Sequence, residues 1–513
     1  MADSETNEKD ITDSSISTVS SASMQTCTAK LFTGRTQIFA DADVITEENI
    51  VDVLTKAMTV HSGNVFEETY LYKYYLGDQP IKYKTKTYRQ DVNNIIVENR
   101  AQEIVTFKTA YALGEPVQYV LRSGITNGLD ALNQINDWMF ARKKAAEDKR
   151  LANWMHICGL GVRMVLPEST DFSRAPFHIY TLDPRNSFVI YRNDIGHTPL
   201  LGVYYAPRKI NGIEQPFYYC YTENDFYEIE GLLPAGNIVK HEATVLNQIP
   251  IIEYPLNMGR EGVFESVLPI LDALNTLASN RVDNVQTFVD SLMLFHNVSV
   301  TREVILKMRE LGALEYGDID PERPGEIKYL VSELNQQQTQ TLKDDLWQSV
   351  KEIVGMPSQS DGSTSTSSNN GAEIVRNGWE QAESCAKDFE LEFDSSEIDM
   401  LRLVLQISGV MAPKYGDQIG SEIASTLDSL KVGDVRIQFT RRNYENIATK
   451  SSVLIQMLNS DKVHPKLAFE HSGMFADPER AYTESMEYYQ SLQKTEGGSN
   501  GPGNDSADPD TSS

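Results

Sequence analysis

The sequence predicts an α+β chain, mostly helical and elongated. Three observations carry that prediction. Apolar residues recur at the helical period over Val263–Met293, Asn335–Val354 and Ala372–Met411. Short β-rich runs, each closed by Gly, Pro or Asn, crowd the stretch from Gly159 to Tyr254. Both ends of the chain are polar and nearly free of large apolar groups. Helices this long exceed what one compact core can cover, so they point to packing between copies of the chain.

The first 40 residues open with DSETNEKDITDSSISTVSSAS, which cannot repay its ordering entropy; disorder is expected through about residue 25, with residues 1–40 forming an acidic arm. From Asp41 to Val60 a helical stripe runs through Ile45, Ile50, Val53, Leu54 and Met58. Val65–Leu76 follows, dense in aromatics, and closes at the turn signal Gly77-Asp78-Gln79-Pro80. Asn93–Leu113 reads as a helix, Val117–Leu121 as a strand, and Leu129–His156 as one long helix whose charged middle, Ala141–Arg150, gives it a solvated face. Seven strands are expected at Gly159–Leu166, Phe177–Leu182, Phe188–Tyr191, Leu201–Ala206, Phe217–Thr222, Asp225–Glu230 and Ile251–Tyr254.

The stripe Val263, Val267, Leu271, Leu274, Ala278, Val282, Val285, Val289 and Leu292 steps by three or four residues. At 1.5 Å per residue this helix reaches roughly 45 Å. Pro269 is tolerated only in a first turn, which moves the start towards Ser266. Residues 294–334 break the run with a strand over Phe295–Val300, a short helix over Thr301–Leu311 and a strand over Ile327–Val331. The return helix carries Leu334, Leu342, Leu346, Val350 and Ile353 on a narrow stripe. Gly355–Gly371 is a polar loop whose one charge is Asp361. A third helix follows with Val375, Trp379, Ala382, Ala386, Phe389, Phe393, Met400, Val404, Ile407 and Met411 in near-heptad spacing, and Glu397 is the single gap in that row. Val435–Phe439 reads as a strand, residues 446–494 as three short helices, the last starting at Asp477-Pro478, and residues 495–513 as a disordered tail.

Composition excludes several classes. With 73 acidic against 46 basic residues the net charge is −27, which opposes static binding to phosphate. Cys27, Cys158, Cys220 and Cys385 form no CxxC pair and read as small buried side chains in a reducing compartment. No run approaches the ~20 apolar residues of a membrane span. Gly159-Leu160-Gly161 lacks a third glycine, His241-Glu242 lacks a second histidine at helical spacing, and there is no Walker loop or GxSxG elbow. The pairs Glu67-Glu68 and Asp344-Asp345 read as solvated helix faces, the eight histidines as ordinary residues, and Tyr70, Tyr72, Tyr74 and Tyr75 as a packed or interface cluster. No catalytic, cofactor or metal site is expected.

Three stretches taken in order carry a resemblance: TYLYKYYLGDQPI (Thr69–Ile81), NNIIVENRAQEIVTFKTAYALGEPVQY (Asn93–Tyr119) and GREGVFESVLPILDALNTLASNRVDNVQTFVDSLMLF (Gly259–Phe295). Followed by an insertion, a return helix, a polar loop and a long helix, they resemble the portal proteins of tailed bacteriophages, the family typified by the portal of Bacillus phage SPP1. The resemblance covers roughly residues 45–440. It implies a structural protein without catalysis or cofactor, forming a ring of twelve copies at one capsid vertex. It also implies a DNA channel, and contacts with the terminase large subunit, the major capsid and scaffolding proteins and head-completion proteins. The location implied is the virion, with host cytoplasm during assembly and no membrane.

On that resemblance residues 41–262 and 372–440 form an α+β wing, 263–292 and 335–354 the two stem helices, 293–334 a small α/β clip and 441–494 a helical crown. Residues 355–371 become a tunnel loop, whose DNA-facing positions are Ser358, Gln359, Ser360, Asp361, Ser363, Thr364, Ser365, Thr366, Ser367, Ser368, Asn369 and Asn370. Val267, Leu271, Leu274, Ala278, Leu342, Leu346 and Val350 are the expected stem-packing residues. Val263–Val354 holds 15 acidic and 8 basic residues, a net of −7, which repels DNA where it faces the channel. Another ring-forming head-tail connector or virion scaffold component is the alternative, and an enzyme with an unrecognised site ranks below it.

Overall fold

The computed structural model describes residues 34–87, 90–122, 128–168, 175–210, 212–244, 246–289, 292–296, 326–330, 336–357, 378–411, 427, 430–440, 447–460, 462–472, 474–475 and 478–496. The amino-terminal arm expected to be disordered, the helix expected over Thr301–Leu311 and the loop positions Ser358–Asn370 lie outside the described residues. The protein is a mixed helix-and-sheet chain, with helix predominating.

After the short strand β1 (Ile38–Ala40), α1 runs from Ile50 to Tyr75 as a single helix. The sequence placed its start near Asp41 and a break before Val65. The chain instead enters through a turn in which Asn49 Oδ1 accepts from the Thr46 amide, and Gly63 is carried through the helix. The helix α2 (Arg100–Ala112) starts seven residues after Asn93. Residues 93–99 are extended because their amides find acceptors on another helix, described below. After β2 (Gln118–Leu121), the expected single helix is two, α3 (Leu129–Ala141) and α4 (Lys144–Cys158), with Lys143 left-handed at φ 57° between them.

Among the described residues, nine β-strands lie up to Pro255 in addition to β2. They are β1, β3 (Leu160–Pro167), β4 (Phe177–Leu182), β5 (Ser187–Arg192), β6 (Pro199–Ile210), β7 (Ile213–Tyr221), β8 (Asp225–Glu230), β9 (Asn237–Ala243) and β10 (Ile251–Pro255). They form a six-stranded sheet in the order β1-β5-β6-β7-β8-β9 and a three-stranded sheet in the order β10-β3-β4. Only β1–β5 is parallel among these pairs. The sequence missed β1 and β9. The first has three residues and the second is an exposed edge strand with polar residues on both faces, so neither shows period-two alternation.

A 3₁₀ turn over Glu265–Val267 leads into α5 (Leu268–Val289), with Pro269 in its first turn. The strands β11 (Leu292–His296) and β12 (Glu326–Leu330) pair antiparallel between α5 and α6 (Gln336–Val354). The third long helix, α7, spans Trp379–Met411, and β13 (Val435–Gln438) pairs antiparallel with β2. Three helices follow, α8 (Ile447–Leu458), α9 (Pro465–Ser472) and α10 (Pro478–Glu496).

One core packs α3, α4, β3 and β4 against α7, using Phe389, Phe393, Met400 and Val404 of the near-heptad row. A second joins α1, α2, α5 and α6. A third covers the six-stranded sheet with the first half of α1. Gly159 ends α4 at φ 78°, where a Cβ would sit 2.2 Å from the Arg260 carbonyl oxygen, so only glycine allows the Gly259–Gly262 segment to close over the helix end.

Candidate functional site

The helix pair α5–α6 is the feature that the sequence singled out, and its construction can be followed residue by residue. Val267, Leu271, Leu274 and Val350 are buried in one core, with Leu346 partly buried against it. Ala278 is buried one turn further along α5. Beyond it the stripe is open: Val282 is 40% exposed and Val285 44%. On α6, Leu342 is 47% exposed and Ile353 56%. A stripe that continues in sequence thus loses its cover half-way along the helix. Of the polar loop, only Gly355–Pro357 are described; Gly355 sits at φ 64° with Cys385 Sγ against the place a Cβ would take.

The face of α5 beside the stripe carries a buried polar row that the sequence reading did not isolate. Asn275, Ser279 and Asp283 are each one helical turn apart and all buried. Asn275 Oδ1 accepts from the Glu98 amide at 2.8 Å, Ser279 Oγ from the Ile96 amide at 3.0 Å, and Asp283 Oδ1 from the Asn94 amide at 2.7 Å. Four residues of helix rise about 6 Å and two of extended chain about 6.6 Å, so the two ladders stay in register over three rungs. This is why 93–99 is not helical: its amides are already paired across the gap. Asp283 also accepts from Lys84 at 3.0 Å and Lys86 at 2.5 Å. Burial pushes its carboxyl up, but these hydrogen bonds and those from Asn94 hold it below the ordinary carboxylate range.

Further pairs bind the return helix into the same assembly. Arg281 donates to Gln340 at 2.6 Å, Lys343 pairs with Glu98, and the Arg100 guanidinium lies 4.5 Å over the Trp347 ring. Tyr74 donates to Asp272 at 2.9 Å, and Tyr72 stacks on Trp154. The tyrosine run is therefore packing.

Two further polar centres lie outside the pair, the first at the turn that leads into α5. Arg35 meets Glu265 at 2.7 Å and Glu67 at 2.9 Å, and donates to the Cys158 carbonyl at 2.8 Å. Glu68, beside them, is 1% exposed, which corrects the reading of Glu67-Glu68 as a solvated face. Burial raises the Glu68 carboxyl to about 8. The other centre is Glu397, the gap in the α7 row. It accepts from Tyr119 at 2.5 Å, Tyr254 at 2.7 Å and Arg163 at 3.0 Å, and pairs with Lys144 at 2.7 Å. Asp148 pairs with Lys144 at 2.7 Å and Arg163 at 2.5 Å. Two cations thus meet two carboxylates without exposure to water. Burial opposes charge on Glu397, and Lys144 and Arg163 overcome it, holding the carboxyl below its usual range. The charged middle of Leu129–His156 accordingly turns Lys144 and Asp148 inward. Among the described residues no group of three or more His, Cys, Asp or Glu could hold a metal ion, and no helix is long and apolar enough to cross a membrane.

The family model for phage portal proteins of the SPP1 Gp6-like type matches residues 67–498. The chain belongs to the phage portal protein family. That family is a structural one. No curated protein matches the chain. Among solved structures, it is similar to a chain described as "Virion of native gene transfer agent (GTA) particle", at 9% identity and TM-score 0.39, covering 80% of this chain and 94% of that one. It is also similar to a chain of the "Neck of native GTA particle computed with C12 symmetry", at 10% identity and TM-score 0.37, covering 73% and 89%.

Proposed function

We propose that this portal-family chain closes into a ring of twelve copies at one capsid vertex, and that α5 and α6 line its DNA passage. The observation that carries this reading is the half-covered stripe. Val282, Val285, Leu342 and Ile353 are solvent-exposed in the single chain, although each belongs to an apolar row that is buried elsewhere along its length. Aliphatic groups placed in register with a buried stripe are a surface awaiting a second copy. The family match over 67–498 supports an assembly of several copies.

On this reading Ser358–Asn370 project into the passage, where hydroxyls and amides touch a phosphate backbone weakly and interchangeably and do not trap it. The net −7 of Val263–Val354 opposes sticking in the same way. The terminase large subunit docks on 293–334 during packaging, and head-completion proteins replace it. Deleting Ser358–Asn369 tests the assignment: rings should assemble and DNA packaging should fall. Failure to assemble, or full packaging, overturns the loop's role.

A further inference from the structure

The three carboxy-terminal helices bury almost nothing of their own. Helix α9 packs against both α8 and α10, and its Ala468 and Phe469 are the buried apolar side chains among the described residues of the three. No side chain of α8 from Lys450 to Leu458 is buried, although Val453, Leu454, Ile455, Met457 and Leu458 are all apolar. Ile455 and Leu458 lie three residues apart, on one side of the helix, and both stand exposed. On α10 every residue from Thr483 to Leu492 is exposed, a length of about 15 Å. Met486 and Tyr489 lie three apart there, and Tyr488 and Leu492 four apart, which gathers these side chains along one half of the helix. A stretch of this length does not hold as a helix in water without a packing partner. Neither helix supplies one to the other, since both sets are open to solvent.

Both surfaces belong to one chain, so each copy carries the two halves of one contact that its own α9 keeps apart. Their charges also match. Lys462, at the turn between α8 and α9, and Glu487 of α10 are both exposed, and no ion pair among the described residues uses either. We propose that α10 of one copy lies across the Ile455–Leu458 side of α8 in the next copy, with Glu487 directed to Lys462. Tyrosine and methionine are side chains that such contacts favour. Repeated head to tail, the contact closes with the ring. The inference rests on the ring reading above and names a second contact within it. The patch is small beside a standard interface, so it seats α10 in the assembled ring and does not hold the copies together by itself.

The test co-expresses two full-length variants, one Leu458→Cys and the other Tyr488→Cys, and treats the purified protein with a mild thiol oxidant. Covalent pairs holding one chain of each kind are expected, with none from the unmodified chain. A chain carrying both changes should give a ladder of larger products. Adding Lys462→Glu to the Leu458→Cys chain should lower the yield of mixed pairs several-fold. Adding Glu487→Lys to the Tyr488→Cys chain as well should restore it, which a misfolded protein would not do. Pairs formed equally by either variant alone, or a yield indifferent to both charge changes, would overturn the proposal. Native mass measured alongside separates the two readings. Rings without mixed pairs overturn this contact alone, whereas single subunits from the unmodified chain overturn the ring and the contact together.

Discussion

The Glu397 centre and the far half of α5 face the same physical problem and solve it differently. Around Glu397, α4, β3, β10, β2 and α7 bring every charge its opposite inside one chain. Along α5, Leu271 and Leu274 are covered by the same chain while Val282 and Val285 are not. The polar face of that helix is nonetheless complete, since Asn275, Ser279 and Asp283 all pair with the extended 94–98 segment. The Glu397 centre is thus self-sufficient. Helix α5 is paired along its polar row and open along the far half of its stripe, which is the arrangement expected of an element whose second partner is the neighbouring copy proposed above.

The comparison breaks most easily at Glu397. Removing it in Glu397→Ala strands Lys144 and Arg163 without their shared partner, and unfolding in denaturant should show a loss of about 3–5 kcal/mol. A loss below about 1 kcal/mol would mean that the centre is hydrated. Leu274→Ala, in the covered half of the α5 stripe, should cost about 2–5 kcal/mol by the same measurement. Glu68 gives an opposite sign. Its folded carboxyl titrates near 8 and its unfolded one near the ordinary 4.5, so the folded state binds more protons between those values. Stability should then decline as pH rises from about 4.5 to about 8 and level off above, and Glu68→Gln should flatten that slope and stabilise the protein by roughly 2–3 kcal/mol at pH 7. An unchanged pH profile would remove Glu68 from the account.

Asp283→Ala should cost about 1.5–3 kcal/mol and speed amide exchange at Asn94, the rung it holds. Because its folded carboxyl is depressed, that contribution is present above the unfolded value of about 3.9 and is lost as pH falls below it. Protected amides in the variant would show that the 94–98 segment does not depend on the ladder. The smallest effect on the single chain belongs to Val282→Ser/Val285→Ser, at most about 0.5 kcal/mol, because these side chains are already in water.

How far the sequence reaches depends on where each partner lies. The stripes of α5 and α7 are local patterns; α5 lies within a few residues of its expected bounds and α7 ends at the expected Met411, its expected start at Ala372 lying outside the described residues. Asp225–Glu230 and Phe177–Leu182 coincide with their strands because alternation and flanking turns are also local. The 93–99 segment was legible only as a helix, since the acceptors that hold it extended lie on α5, far along the chain. The break at Lys143 carries no glycine or proline to announce it. Glu397 was visible as a gap in an apolar row, and that gap was the available signal. What it lacked was any indication that Lys144, Arg163, Tyr119 and Tyr254 converge on it. The asymmetry of α5 could not be read at all, because an unbroken stripe looks the same whether or not its own chain covers its whole length.

The most direct test is native mass spectrometry of the purified protein beside Val282→Asp/Val285→Asp, with melting of both recorded. A closed ring for the native chain, and single subunits of nearly unchanged melting temperature for the variant, is the predicted result. Rings of equal mass from both proteins would contradict the claim that the open half of the stem is completed by a neighbouring copy.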